Sequence, residues 1–215
     1  LYSYREMIQD IEGLLYQTDR PMPKCNRKDN VIGSGLTNGR KFFPAGLDSL
    51  RGTEISVLID LACGDGEFLS RFHQSHPRTQ IICSDLSKVA IDATKNKLNK
   101  IHKDINCDFV QTDAVDLENW VPVVEKYNNQ RLGVPVISMW YLVHEISQHR
   151  VDKIVNFFEK IFQRLPNAHL LIGEIVNLCP QTLQKNYSMS IMPEFLLFHQ
   201  FSGQGVLTWS QFQEL

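Results

Sequence analysis

The sequence has no long apolar run. Nothing in it approaches the roughly 20 residues a helix needs to span a bilayer, and no secretory leader pattern opens it. It has no basic excess either: 22 Lys and Arg stand against 24 Asp and Glu, a formal net charge of −2. Nucleic-acid binders draw their affinity from a Lys/Arg surplus, so neither nucleic acid nor a membrane is an expected partner. Cysteine is sparse and unpaired in pattern. Cys25, Cys63, Cys83, Cys107 and Cys179 make an odd number with no C-x-x-C spacing. That speaks against a disulfide framework and a zinc ribbon. Reduced, partly buried thiols in a cytoplasmic protein are expected instead. The first residue is Leu1 rather than Met, so further chain upstream is expected.

With 43% hydrophobic and 21% charged residues, 215 residues can bury one ordinary core. Residues 1–50 differ from the rest. Tyr4 to Tyr16 spaces Met7, Ile8, Ile11, Leu14 and Leu15 as a helix does. Arg20 to Gly39, rich in Pro, Asn and Gly, reads as loop. This region reads as an N-terminal extension ahead of a main domain over 51–215.

From residue 55 strands and helices alternate. Strands are expected at Ile55–Leu61, Thr79–Ser84, Asn106–Gln111, Val134–Trp140 and Leu170–Ile175. Helices are expected at Glu67–His76, Lys88–His102 and His149–Arg164. Continuous apolar strands in this order imply an α/β fold with a doubly wound, mostly parallel sheet. Such sheets bind ligands beyond the carboxyl ends of their strands.

The first strand runs into a glycine turn, Asp60-Leu-Ala62-Cys63-Gly64-Asp65-Gly66. A dinucleotide fingerprint wants a third glycine for close helix packing beside a pyrophosphate, and Leu69 stands there. A nicotinamide or flavin enzyme is therefore disfavoured. Asp85 ends the second strand, 21 positions past Gly64, where an acid can accept both ribose hydroxyls. Asp113 follows the third.

The turn and the two acids resemble the cofactor motifs of class I S-adenosylmethionine-dependent methyltransferases, a Rossmann-like family. The resemblance covers about residues 50 to 180. It implies S-adenosylmethionine as cofactor. Asp60, Ala62, Cys63, Gly64 and Gly66 would shape the methionine end, Asp85 and Leu86 the ribose, and Asp113 and Ala114 the adenine. Trp140 would cover the cofactor or belong to the core.

After the fourth strand come His144 and Glu145, and the fifth leads to Glu174. This stretch resembles the small-molecule O-methyltransferases, with Glu145 where that family usually has aspartate. The resemblance implies that His144 is a general base for an acceptor hydroxyl and that glutamates, Glu174 among them, orient it; a neutral imidazole suits the task. His199 follows 55 positions later in an apolar stretch. The pair also resembles the metal-dependent 2-oxo acid C-methyltransferases. There His144 and His199 would hold a divalent iron, zinc or manganese, with Glu145 open to joining them, and the metal would stabilise an enolate. That resemblance puts C-methylation of a 2-oxo acid first, with O-methylation of a hydroxylated metabolite beside it. A synthase domain acting on a carrier-bound acyl group, and a binding module without turnover, stay open. The fourth strand lacks the N/D-P-P-Y type motif used on base amino groups.

His73, His76, His102, His149 and His169 read as surface or structural residues on helices or turns. The family also implies a final hairpin, with last strands that this chain would lack: Trp209 onward reads as the start of a helix before it. The resemblance allows a homodimer, and implies that residues 1–50 are a remnant of a dimerisation or lid region.

Overall fold

Ile55–Leu61 is buried at all seven positions, as a strand covered on both faces must be. The computed structural model describes residues 8–16, 39, 42–102, 105–147, 150–186, 199 and 205–215. The expected loop over Arg20 to Gly39 lies outside the described residues except at Gly39, and so do Cys25 and His149.

In chain order the elements are α1 (Ile11–Tyr16), α2 (Phe42–Ser49), β1 (Ile55–Leu61), α3 (Glu67–Ser75), β2 (Gln80–Asp85), α4 (Lys88–Ile101), β3 (Cys107–Gln111), α5 (Leu117–Asn128), β4 (Val134–Trp140), α6 (Val143–Ser147), α7 (Val151–Arg164), β5 (His169–Gly173), α8 (Pro180–Asn186) and α9 (Trp209–Gln213). The five strands pair in parallel in the order β3-β2-β1-β4-β5. This is the expected α/β fold. The winding reverses direction between β1 and β4, which makes the crevice at their carboxyl ends the favoured ligand position.

Four helices among the described residues, α2, α5, α6 and α8, escape a reading of periodicity. α5 contains Pro122, which looks like a breaker, yet Leu117, Trp120, Val121 and Val124 are buried along one face. Pro122 is the sixth residue of the helix, so it takes one backbone donor out of the ladder, and the buried face is what holds the helix there. α2 contains Pro44 and Gly46. Pro44 is in the first turn, where N–H groups have no helical partner. A Cβ on Gly46 would come within 2.7 Å of the Trp140 ring, so packing, not propensity, selects the glycine. β5 starts one residue earlier than expected and ends at Gly173, which makes His169 a strand residue and leaves Glu174 just past the strand.

The chain divides into two compact units. One, residues 31–142 and 157–173, holds the sheet; the other comprises residues 1–30, 143–156 and 174–215. The core of the first is built on Leu58, Phe68, Leu69, Phe72, Ile81 and Leu98. Cys63, Cys83, Cys107 and Cys179 are free thiols, and burial pushes the Cys83 thiol well up. In the second unit Asn177 and Thr208 form a parallel bridge, and Thr208 starts α9 with a reciprocal capping box to Gln211. No helix among the described residues is long and apolar enough to cross a membrane.

Candidate active site

Beyond β1 the backbone turns through left-handed conformations at Ala62 (φ 61), Gly64 (φ 58) and Gly66 (φ 74). Alanine pays roughly 1–2 kcal/mol for that conformation, and such strain gathers at functional sites. Helix α4 clasps the loop from one face. Thr94 Oγ1 donates to the Gly64 carbonyl at 2.9 Å. One turn on, Lys97 Nζ donates to Asp65 at 2.6 Å and to Glu67 at 3.0 Å. A Cβ on Gly66 would meet Thr94 Cγ2 at 2.7 Å. Gly66 is thus required by backbone angle and by space together.

Asp60 is buried at the end of β1 and paired in register with Ser138 of β4. Ser138 Oγ donates to Asp60 Oδ1 at 2.6 Å. Burial pushes the Asp60 carboxyl up to about 7; the Ser138 hydrogen bond opposes the rise and the charge of Asp85 adds to it. Asp85 closes β2 and accepts two backbone N–H groups, from Gly64 on Oδ2 at 3.1 Å and from Ser87 on Oδ1 at 2.8 Å. It therefore ties the ends of β1 and β2 together. Leu86 beside it is 68% exposed, an apolar face open at the sheet edge. Asp113 follows β3 and accepts the Val115 N–H at 3.1 Å, while the buried Ala114 gives its carbonyl to Trp120 Nε1 at 2.9 Å.

Trp140 packs as a core residue. Its ring lies 4.7 Å from Phe43 and 5.0 Å from Phe68, and Gly173 makes room for it: a Cβ there would fall 2.1 Å from the indole. Among the described residues its buried Nε1 has no hydrogen-bond partner. Tyr141, the next residue, is also left-handed (φ 57), so the chain is strained one residue past both β1 and β4.

The second unit brings together His144, Glu174 and His199. Glu174 Oε1 lies 2.9 Å from His144 Nδ1, and Oε2 accepts the His144 backbone N–H at 3.1 Å. The Glu174 carboxylate thus faces Nδ1 of the ring, a nitrogen that can donate to it. Both side chains are buried, at 4% and 2% exposure. Ser147 Oγ donates to the Gly205 carbonyl at 2.9 Å, and the His144 carbonyl accepts the Gly205 N–H. His199 is buried, with its ring 4.9 Å from that of His144 at 72°. Glu145 adjoins His144 on α6 and is half-buried. Among the described residues no group of three or more His, Cys, Asp and Glu can hold a metal ion.

Of the other histidines, His73 and His102 are not isolated: their rings lie 4.7 Å apart, and His102 Nε2 is 3.0 Å from Ser70 Oγ. Reading the sequence for motifs passes over Ser138, Thr94 and Lys97. For Ser138 a signal exists: Asp60 and Ser138 are the polar residues near the ends of two otherwise apolar strands.

The model of the methyltransferase domain family matches residues 58–165, half of the chain. The chain belongs to that family and is a methyltransferase of the class I fold. Among solved structures it is similar to the plantazolicin methyltransferase BpumL in complex with a monoazolic desmethylPZN analog and SAH, at 19% identity and TM-score 0.52 over 98% of this chain and 76% of that one. An O-methyltransferase family protein from Burkholderia thailandensis aligns at 13% identity and TM-score 0.61, over 97% and 61%. Human N-acetylserotonin methyltransferase in complex with SAM aligns at 13% and 0.53, over 88% and 48%. At such identities the likeness is one of fold. No curated protein sequence matches the chain.

Proposed function

We propose that this methyltransferase moves the methyl group of S-adenosylmethionine to a hydroxyl of a small molecule, with His144 as general base and Glu174 orienting it. The observation that supports this most is the double hydrogen bond from His144 to Glu174. It sets the ring, and in this reading Nε2 is the base nitrogen. In the reaction the acceptor oxygen attacks the methyl carbon, the bond to the sulfonium sulfur breaks, and the hydroxyl proton passes to Nε2. Glu174 stabilises the imidazolium that results. The glycine turn with Asp60, Asp85 and Asp113 at three successive strand ends supports the cofactor, as do the SAH and SAM complexes of proteins with this fold.

Metal-assisted C-methylation of a 2-oxo acid is the second reading, favoured by the contact of His144 with His199. Among the described residues no set of three donors stands ready for the metal that this reading needs. Incubating the full chain with methyl-labelled S-adenosylmethionine separates the two. The acceptors are a panel of hydroxylated aromatics and 2-oxo acids, each with and without a chelator. An O-methyl ether formed despite the chelator, and lost by about 10² or more in His144→Ala, is the expected result. A C-methylated 2-oxo acid whose formation stops with the chelator would overturn it in favour of the second reading.

A further inference from the structure

Asp60 is a carboxyl in a strand buried at every position, 1% exposed. A buried charge needs a partner, and the described residues supply little. The groups acting on Asp60 are the Ser138 hydroxyl from β4, the like-charged Asp85 from β2 and the Cys63 thiol on the loop. None is a cation. Ser138 is itself fully buried, and its hydroxyl spans the β1–β4 pair to Asp60 Oδ1, with a longer contact of 3.3 Å to the Ile59 carbonyl. A strand in that place would be served as well by alanine or valine. The shorter of the serine's two contacts is to Asp60, and the serine stands where the strand order reverses.

We infer that Ser138 is a positioning residue for the cofactor: by engaging Asp60 Oδ1 from β4, it turns the other carboxyl oxygen to receive the amino group of S-adenosylmethionine. This rests on the S-adenosylmethionine reading of the site. The ammonium is the cation that the buried acid lacks. Binding draws negative charge onto Asp60 and releases its proton to solvent, so affinity rises with pH through neutrality. Ser138 lowers the pH at which this happens, because its hydrogen bond favours the carboxylate.

S-adenosylhomocysteine has the same amino acid end and is the probe. Its binding to the full chain is followed by titration calorimetry from about pH 6 to about pH 8, in two buffers of different ionisation enthalpy. Wild type is expected to release protons on binding and to bind more tightly as pH rises. Ser138→Ala is expected to bind roughly tenfold more weakly at about pH 6, with the loss shrinking toward about pH 8 as its profile moves to higher pH. Ser138→Thr, which keeps the hydroxyl, restores the profile, and Asp60→Asn flattens it. Circular dichroism establishes folding; if Ser138→Ala does not fold, Ser138→Cys, with a weaker donor, is expected to show a smaller shift in the same direction. A loss of the same factor at every pH, or an unshifted profile, would reduce Ser138 to packing and overturn the inference. Wild type that binds no S-adenosylhomocysteine at any pH would overturn the cofactor reading itself, a different failure.

Discussion

Glu174 holds His144 at two atoms, the ring Nδ1 at 2.9 Å and the backbone N–H at 3.1 Å, across thirty residues of sequence. The backbone contact ties the first turn of α6 to the residue just past β5, and the side-chain contact orients the ring. One carboxylate therefore holds both the main chain and the ring of the histidine.

Glu174→Gln keeps the size and an acceptor oxygen but removes the charge. Methyl transfer to a hydroxyl acceptor is expected to fall by about 10² to 10⁴, with S-adenosylhomocysteine affinity unchanged in calorimetry. Glu174→Ala is expected to destabilise the fold by about 1–3 kcal/mol as well, since it strands three donors, the His144 ring and the backbone N–H groups of His144 and Ile175. Urea unfolding measures that loss; equal activity in Glu174→Gln would remove Glu174 from the mechanism.

Gly66 meets two constraints: a left-handed φ, and the Thr94 methyl, which would stand 2.7 Å from any Cβ placed there. Gly66→Ala is expected to cost about 1–2 kcal/mol for the backbone alone, with weaker cofactor binding beyond that. Thr94→Ser removes the methyl and keeps the hydroxyl on the Gly64 carbonyl. The double variant should therefore recover the steric part of the loss and not the backbone part, read as a non-additive term in a double-mutant cycle. Simple additivity would mean that Thr94 does not confine the loop.

Gly173→Ala drives a methyl into the Trp140 indole. Overpacking of this kind costs about 1–3 kcal/mol, seen as a lower Tm. Combining it with Trp140→Leu should relieve the clash, although Trp140→Leu alone leaves a cavity beside Phe43 and Phe68. A Gly173→Ala variant as stable as wild type would show that the strand end shifts freely.

Asp60 gives apo stability a pH dependence of fixed sign. Its carboxyl sits at about 7 in the fold against 3.8 as a free group. Between those values the folded state binds more protons than the unfolded one. Its contribution is thus full below about pH 4 and is lost as pH rises through about 7, up to roughly 4 kcal/mol in all. Asp60→Asn cannot ionise, so urea unfolding should find it more stable than wild type above about pH 7, with the gap closing toward about pH 4. A constant gap across that range would mean that Asp60 titrates at its ordinary value.

The strands were legible because a doubly covered parallel strand is apolar at nearly every position, as in Ile55–Leu61 and Val134–Trp140. Helices α3, α4 and α7 were legible from their apolar faces. Helices α2 and α5 were not, since Pro44 and Gly46 in one and Pro122 in the other are poor helix formers. Motif spacing singled out the acids at the ends of β1, β2 and β3, because the ligand edge of such a sheet is set by topology.

The sequence by itself determined the winding of the sheet, the glycine turn after β1 and the identity of the groups available for chemistry, since these follow from local periodicity and backbone freedom. Only the tertiary structure decided which groups act on one another. It paired Ser138 with Asp60 and Glu174 with His144, set Thr94 and Lys97 against the glycine turn, and packed Trp140 into the core. Those contacts join residues that are far apart in the chain, and no local pattern encodes them, because a hydrogen bond or a ring contact exists only once the strands and helices have been brought side by side.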